Sequence, residues 1–508
     1  MNLIASTSTF SFFTLISRIL GYVRDILIAM FLGTSLFADA FFVAFRLPNT
    51  FRRLFAEGTF NAAFIPSYAG ELSRNKVDAD DFAKNTFNLL FIILLVLVLV
   101  AEIFMPQLIF LIAPGFYKDP EKIKLAIDLS RITFPFLFFI SLASFFSAIL
   151  NSHNRFALAA AVPILLNIIL IGSLFLSQWL DLSDVKTLSY AVSFAGLLQL
   201  LVLLFFVRKK FKPTLSIKIK LDEKIKIFFY KLLPSIFSSG VTQINILIGT
   251  IIASFQTGAV SYLYYADRVY QINLAIAGIA VGTVMLPELS KYVQIKDNEK
   301  INDLQNRALE LSLFLSLPAA IALILSSEQI ITSLFGYGSF DYTSVLNTSK
   351  ALAFFALGVP AFAILKILSN FFFARNDTKT PFHLSVISVI LNVVISISLF
   401  SKIGFIIIPI ATSISSWVNV FMHCYFIKKR NLYTFDNKFV YKIPRIILSV
   451  VVMGIILYLL LSFFSDKFNY NGSWKFIYLV IIVTISLVSY FLISNFSGAF
   501  KFKDIKLK

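Results

Sequence analysis

Apolar runs of about twenty residues recur along nearly the whole chain, and they limit the fold more than any other feature. Inside a bilayer every backbone N–H and C=O must be satisfied within the protein, so only helices and closed barrels cross it. These runs are too long for barrel strands, which leaves an all-α polytopic membrane protein. With 58% hydrophobic and 14% charged residues, a soluble globule is excluded. The formal charge of +18 sits mostly in short loops between the runs, the pattern of cytoplasmic loops, so nucleic acid is not an expected partner.

About fourteen transmembrane helices are predicted, near 6–32, 35–67, 84–113, 124–149, 156–177, 187–207, 227–254, 259–288, 307–326, 347–374, 381–400, 404–427, 440–463 and 474–495. The second is long, polar and broken by Pro48 and Pro66. Loops on one side carry Arg74 and Lys76, His153 and Arg155, Lys291 and Lys296, Arg375 and Lys379, and Lys428 to Arg430; loops on the other are poorer in Lys and Arg. Lys118, Lys122 and Lys124 are the exception, offset by Asp119, Glu121 and Asp128. The alternation places both termini in the cytoplasm. No basic region precedes the first apolar stretch, so no cleavable signal peptide is expected.

The stretch 208–226 holds eight Lys or Arg in nineteen residues and divides six spans from eight. The expected organisation is an N-terminal lobe (1–210), a basic linker (211–226), a C-terminal lobe (227–430) and a last pair of helices with a basic tail (431–508). Weak internal similarity supports it: TSLFADAFFVAFRLPNT (34–50) sits over QTGAVSYLYYADRVYQI (256–272), and PILLNIILI (163–171) over SVILNVVIS (388–396). Arg46 then falls on Arg268 and Asn167 on Asn392. Two six-helix lobes around a central cavity are a transporter architecture with the site near mid-membrane.

Charges occupy the first two spans, where lipid disfavours them. Arg18, Arg24 and Asp25 interrupt the first; Asp39, Arg46, Arg52 and Arg53 run through the second. Three charges cost on the order of 8–10 kcal/mol on insertion scales, against roughly 4–8 kcal/mol from the Leu, Ile, Val and Phe residues of the first span. These side chains therefore face a polar cavity. Ser17 shares a helix face with Arg24, and Arg18 with Asp25; Asp39, Arg46, Asn49 and Arg53 form one stripe, with Arg52 one turn from Asn49. Arginine outnumbers acid here, which favours an anion site of guanidinium groups holding phosphate by paired hydrogen bonds. The plainer reading is structural, with Arg24 paired to Asp25 or Asp39 and Arg52 to Glu57. Arg268 stands in YYADR of the second half, beside Asp267.

Other motifs carry less. Gly278 and Gly282 form G-x-x-x-G, read as helix packing. Asp78, Asp80 and Asp81 form a short acidic string, read as a solvated turn. The single cysteine, Cys424, and three scattered histidines predict no metal site, and no catalytic motif is present.

SRILGYVRD (17–25), DAFFVAFRLPNTFRRLFAEGTFNAAFIP (39–66) and YLYYADR (262–268) resemble the lipid II flippases of the MurJ/MviN type, in the multidrug/oligosaccharidyl-lipid/polysaccharide exporter superfamily. The resemblance runs along nearly the whole chain. It implies fourteen helices, two six-helix lobes around a V-shaped cavity, and a groove between the last two helices for a lipid tail. It implies export of the undecaprenyl-pyrophosphate-linked peptidoglycan precursor from the inner to the outer leaflet of the bacterial cytoplasmic membrane by alternating access, without enzymatic chemistry. Carried over by motif, Arg18, Arg24, Arg52 and Arg268 are substrate-binding arginines, with Ser17 and Asn49 beside them, and Asp25, Asp39 and Glu57 are cavity acids. The expected partners are lipid II and membrane lipids, with the chain acting as a monomer.

No cofactor is expected; the drive is the membrane potential or an ion gradient. Some relatives have a sodium site that includes an acid in span seven, but LLPSIFSSGVTQINILIGTIIAS (232–254) has none. Three alternatives stay open at this level: a drug exporter of the superfamily, a flippase for another polyprenyl-linked oligosaccharide, and a membrane-embedded enzyme using Asp80.

Overall fold

The computed structural model describes residues 3–55, 59–216, 223–434 and 436–500. Among them are twenty α-helices and no strand. The first ten are α1 (Leu3–Leu32), α2 (Leu36–Phe55), α3 (Thr59–Arg74), α4 (Lys76–Ile103), α5 (Met105–Ile112), α6 (Pro120–Thr133), α7 (Pro135–Ser152), α8 (Phe156–Trp179), α9 (Asp184–Val207) and α10 (Glu223–Ala253). The others are α11 (Ala259–Leu274), α12 (Val281–Gln294), α13 (Asn298–Leu325), α14 (Ser327–Phe335), α15 (Tyr342–Ala356), α16 (Val359–Phe373), α17 (Lys379–Ile403), α18 (Ile407–Lys429), α19 (Asn437–Phe463) and α20 (Lys475–Ser497). A π-helical stretch, Ala275–Ala280, joins α11 to α12 without a break.

Ten stretches of the described residues are long and apolar enough to cross a membrane, and one of them, Lys379–Lys429, holds both α17 and α18. The α2–α3 pair, α1 and α10 fall outside that set, and counting them is consistent with about fourteen crossings. The helix ends follow local chemistry. Gly33, at φ +60°, ends α1 in the left-handed conformation that only glycine adopts without strain. Asn75, Asp119, Asp297 and Asp341 accept hydrogen bonds from the first free N–H groups of α4, α6, α13 and α15. Pro48 lies inside α2, which continues through it. The acidic string reads differently from the solvated turn expected of it: Asp78, Asp80 and Asp81 lie on the opening turns of α4, where the positive end of the helix favours acids.

Packing divides the chain into two units, Met1–Ser261 and Tyr262–Lys508. The first is built on aromatic rings. Phe60, Phe64, Phe82 and Phe145 gather around Phe228 and Tyr68, with ring centroids 5.1–6.2 Å apart in the Phe64 contacts. Lipid tails are as apolar as the side chains, so close packing rather than escape from water holds such helices together, and each aromatic pair adds about 0.5–1.5 kcal/mol. Phe228 and Ile225 carry α10 into this core, beyond the basic linker.

In the second unit α13 is the central post. Phe371 and Phe372 of α16 belong to the same core as its Leu309. Tyr490 of α20 donates a hydrogen bond to the Phe314 carbonyl at 2.7 Å, and Lys442 of α19 pairs with Glu310 at 2.6 Å, so the last two helices are tied to the same post. The far end of that pair is pinned by Lys475, whose buried ammonium donates to the Gly336 and Tyr470 carbonyls at 2.6 and 2.8 Å and lies 4.0 Å from the centre of the Tyr337 ring.

Candidate functional site

Arg24 is the centre of the polar arrangement in the first unit. The sequence places it with Ser17 and Gly21 on one face of α1, and that face packs on α8. Arg24 is 6% exposed and Asp25 2%. Its Nε and Nη2 donate to Asp25 Oδ1 at 3.0 and 2.7 Å, and Nη1 donates to Asn167 Oδ1 at 3.0 Å. Asn167 in turn donates to the Ser17 carbonyl at 2.9 Å. Adjacent residues on a helix do not normally face one another, so the Arg24 side chain curls back over Asp25. The pair neutralises a guanidinium that would otherwise be too costly to bury, and Asn167 fixes its plane. Asn167 was legible only as half of a repeat, a lone amide in an apolar run. Its counterpart Asn392 also bonds inside its own lobe, accepting from Ser396 at 3.2 Å.

Asp39 is fully buried and takes a different partner from those expected of it. Lys122 Nζ lies 2.6 Å from Oδ2; the Gly258 and Ser261 N–H groups donate at 2.8 and 3.0 Å, and the Ser261 hydroxyl at 2.7 Å. The carboxylate thus caps the first turn of α11, where helix N–H groups favour an anion. Lys122, 3% exposed and 4.2 Å from the centre of the Phe116 ring, is one of the lysines that break the charge alternation of the loops. That violation was the available signal: a cation on the wrong side is a candidate for a buried pair.

The other predicted residues are spread out. Arg18 is exposed on α1. Half-buried Arg46 donates to the Thr250 hydroxyl of α10, and half-buried Arg52 donates to Asn49 Oδ1 at 2.9 Å, as the one-turn spacing implied. Glu57 and the Arg53 side chain lie outside the described residues. In the second unit Arg268 is half-buried; its Nη2 donates to the Tyr264 hydroxyl at 2.9 Å and the guanidinium lies 4.8 Å from the centre of the same ring. Asp267 accepts from Gln271. Tyr264, one turn before Arg268, was missed; an aromatic residue four positions from an intramembrane arginine is the signal for it. Gly278 and Gly282 do serve packing: a Cβ at Gly278 would lie 2.9 Å from the Ala363 Cα, and one at Gly282 3.2 Å from the Asn370 amide.

The geometry therefore supplies buried or half-buried guanidinium groups on α1, α2 and α11, each oriented by a neutral or acidic neighbour. Each guanidinium suits an oxyanion, which replaces its water by charge-assisted hydrogen bonds.

Residues 28–489 match the family model described as lipid II flippase MurJ. The chain belongs to the MurJ family. A probable lipid II flippase MurJ of Rhizobium tropici is 39% identical over 468 residues, which covers 90% of this chain and 87% of the relative. A solved lipid II flippase MurJ in an inward closed conformation superposes with a TM-score of 0.82 at 30% identity, covering 96% of this chain and 98% of that one. An inward-facing multidrug transporter of the MOP superfamily superposes at 0.69 with 17% identity, which shows the shared fold alone.

Proposed function

We infer that this chain is a multi-pass membrane flippase for lipid II. The observation that carries the reading is the match along nearly the whole chain to proteins bearing that name. The buried Arg24 with its Asp25 and Asn167 partners supports it, because a charge cluster inside an apolar helix calls for an ionic cargo. The cargo's headgroup cannot cross lipid unaided, since its sugars, peptide and pyrophosphate would lose their water.

In this reading Arg18, Arg24, Arg52 and Arg268 bind the pyrophosphate, with Ser17 and Asn49 beside them. Asp25 neutralises Arg24 when no cargo is bound and gives way to the phosphates on binding. Asp39 and Glu57 are the other acids of the region. The prenyl tail stays in the bilayer along α19 and α20. The site opens alternately to the two faces of the bacterial inner membrane, both termini are cytoplasmic, the chain works as a monomer, and no bond is made or broken. The membrane potential is the simplest drive. Without an acid in 232–254, sodium coupling through that helix is not part of the reading.

The test is translocation of labelled lipid II in vesicles holding the purified chain, with Arg24→Ala and Arg268→Ala as comparisons. Transfer by the wild type and its loss in both variants is expected. Transfer no faster than in protein-free vesicles overturns the reading.

A further inference from the structure

The span Tyr342–Phe373 carries two charges, Lys350 and Lys366. Lys366 lies on α16 seven residues before Phe373, roughly 10 Å inward along the axis. Three helices surround α16, and their positions around it follow from its own residues at about 100° per residue. Ala363 and Asn370 face α12 and the π-helical stretch: Gly278 abuts Ala363, and Asn370 donates to the Gly282 carbonyl at 2.7 Å. Ser369 and Phe372 face α18, where the Ser369 hydroxyl lies 3.4 Å from His423 Nε2 and the Phe372 ring 5.8 Å from the histidine ring. Leu368 lies in the core with Leu309 of α13, on the opposite side.

Lys366 projects between the α12 side and the α18 side, on the face opposite Leu368. Its Cβ lies 3.8 Å from where a Gly282 Cβ would stand, so the root of the side chain is fixed against α12. The side chain is exposed all the same. The acid of α12, Glu288, accepts a hydrogen bond from Tyr292 at 3.1 Å, and Arg375 at the end of α16 is held by the Phe371 and Leu432 carbonyls at 2.7 and 3.1 Å. An ammonium at this depth in an apolar span requires an anion or water, and charged residues so placed mark substrate pathways.

We propose that Lys366 is a further cargo-binding residue, contacting an anionic group of the transported headgroup, a phosphate or a peptide carboxylate. This rests on the flippase reading. The competing source of the same chemistry is the phosphate of bulk phospholipid, reached by the lysine stretching toward the membrane surface.

Two measurements test it. In the first, vesicles made only of phosphatidylcholine, and others containing phosphatidylglycerol, hold the full chain, and lipid II transfer is followed. Lys366→Met is expected to raise the half-saturating lipid II concentration about tenfold in both lipid mixtures, while Lys366→Arg stays close to wild type. Unchanged transfer by Lys366→Met overturns the proposal, as does a loss confined to the phosphatidylglycerol vesicles or an equal loss in Lys350→Met. Wild-type protein that transfers nothing overturns the flippase reading instead, so the two failures are separate. In the second, Lys366→Cys in a Cys424→Ser chain is exposed to a charged, membrane-impermeant thiol reagent. Labelling that excess lipid II slows is expected. Absence of labelling places the residue against lipid tails and overturns the proposal even where Lys366→Met folds poorly.

Discussion

The ammonium of Lys122 and the carboxylate of Asp39 meet at 2.6 Å with both side chains at or below 4% exposure. The carboxylate also receives three hydrogen bonds from Gly258 and Ser261, so one acid joins α2, α6 and the start of α11. Removing one member of a buried pair leaves the other uncompensated, which typically costs about 3–5 kcal/mol. Asp39→Asn is therefore expected to lower the unfolding temperature of the purified protein sharply. Adding Lys122→Met should recover part of the loss. Strictly additive losses in the double variant would show that the two residues do not act as a pair.

Arg24 offers a sharper test of hydrogen-bond geometry than of charge. Its guanidinium bonds Asp25 through two nitrogens and Asn167 through the third. A lysine keeps the charge but not the planar fork. Arg24→Lys should fold and insert, yet transfer lipid II at least about tenfold more slowly than wild type. Normal growth of cells depending on Arg24→Lys as their sole copy would count against paired hydrogen bonding at this position.

Transport should respond to voltage. Moving about two negative charges outward through 100 mV, inside negative, is favourable by roughly 4.6 kcal/mol. Potassium-loaded vesicles treated with valinomycin should transfer lipid II faster when the imposed potential favours that direction. A rate indifferent to the sign and size of the potential refutes this drive.

His153 ties stability to pH. It lies in the turn after α7, with its Nε2 3.3 Å from the Tyr68 hydroxyl. Burial, then the charges of Lys210 and Lys76, push the imidazole below its usual 6.5, and Asp80 opposes them. A folded-state value below the unfolded one means that the fold favours the neutral ring. The contribution is present above pH 6.5 and is lost as pH falls through the unfolded value toward the folded one. The unfolding temperature should drop between about pH 7 and pH 5, and His153→Gln should flatten that drop. An unchanged profile in His153→Gln would assign the pH dependence to other groups.

Much of the fold was legible because it rests on local signals. Apolar length marks the spans, and Asn75, Asp119, Asp297 and Asp341 stand where their helices start. The candidate site was legible only in its residue types. Arg24 could be singled out as an arginine that lipid would not accept, but its bond to Asn167 joins positions 143 residues apart, and Lys122 lies 83 residues from Asp39. No periodicity encodes such pairs. Lys366 escaped notice because its neighbours are apolar enough to absorb one charge in any averaged reading of the span.

The π-helical turn Ala275–Ala280 has a consequence for the helix that contains it. Such a turn holds one residue more than an α-helical turn, which rotates everything after it by about 100°. The bearing of Arg268 relative to Gly282 is thus set by a single surplus residue. Deleting one alanine there would let the ladder revert to ordinary spacing with that bearing kept, whereas straightening the turn with every residue retained would swing the arginine by about 100°. The aim of the guanidinium thus depends on the shape of this turn and not on the number of residues in the helix.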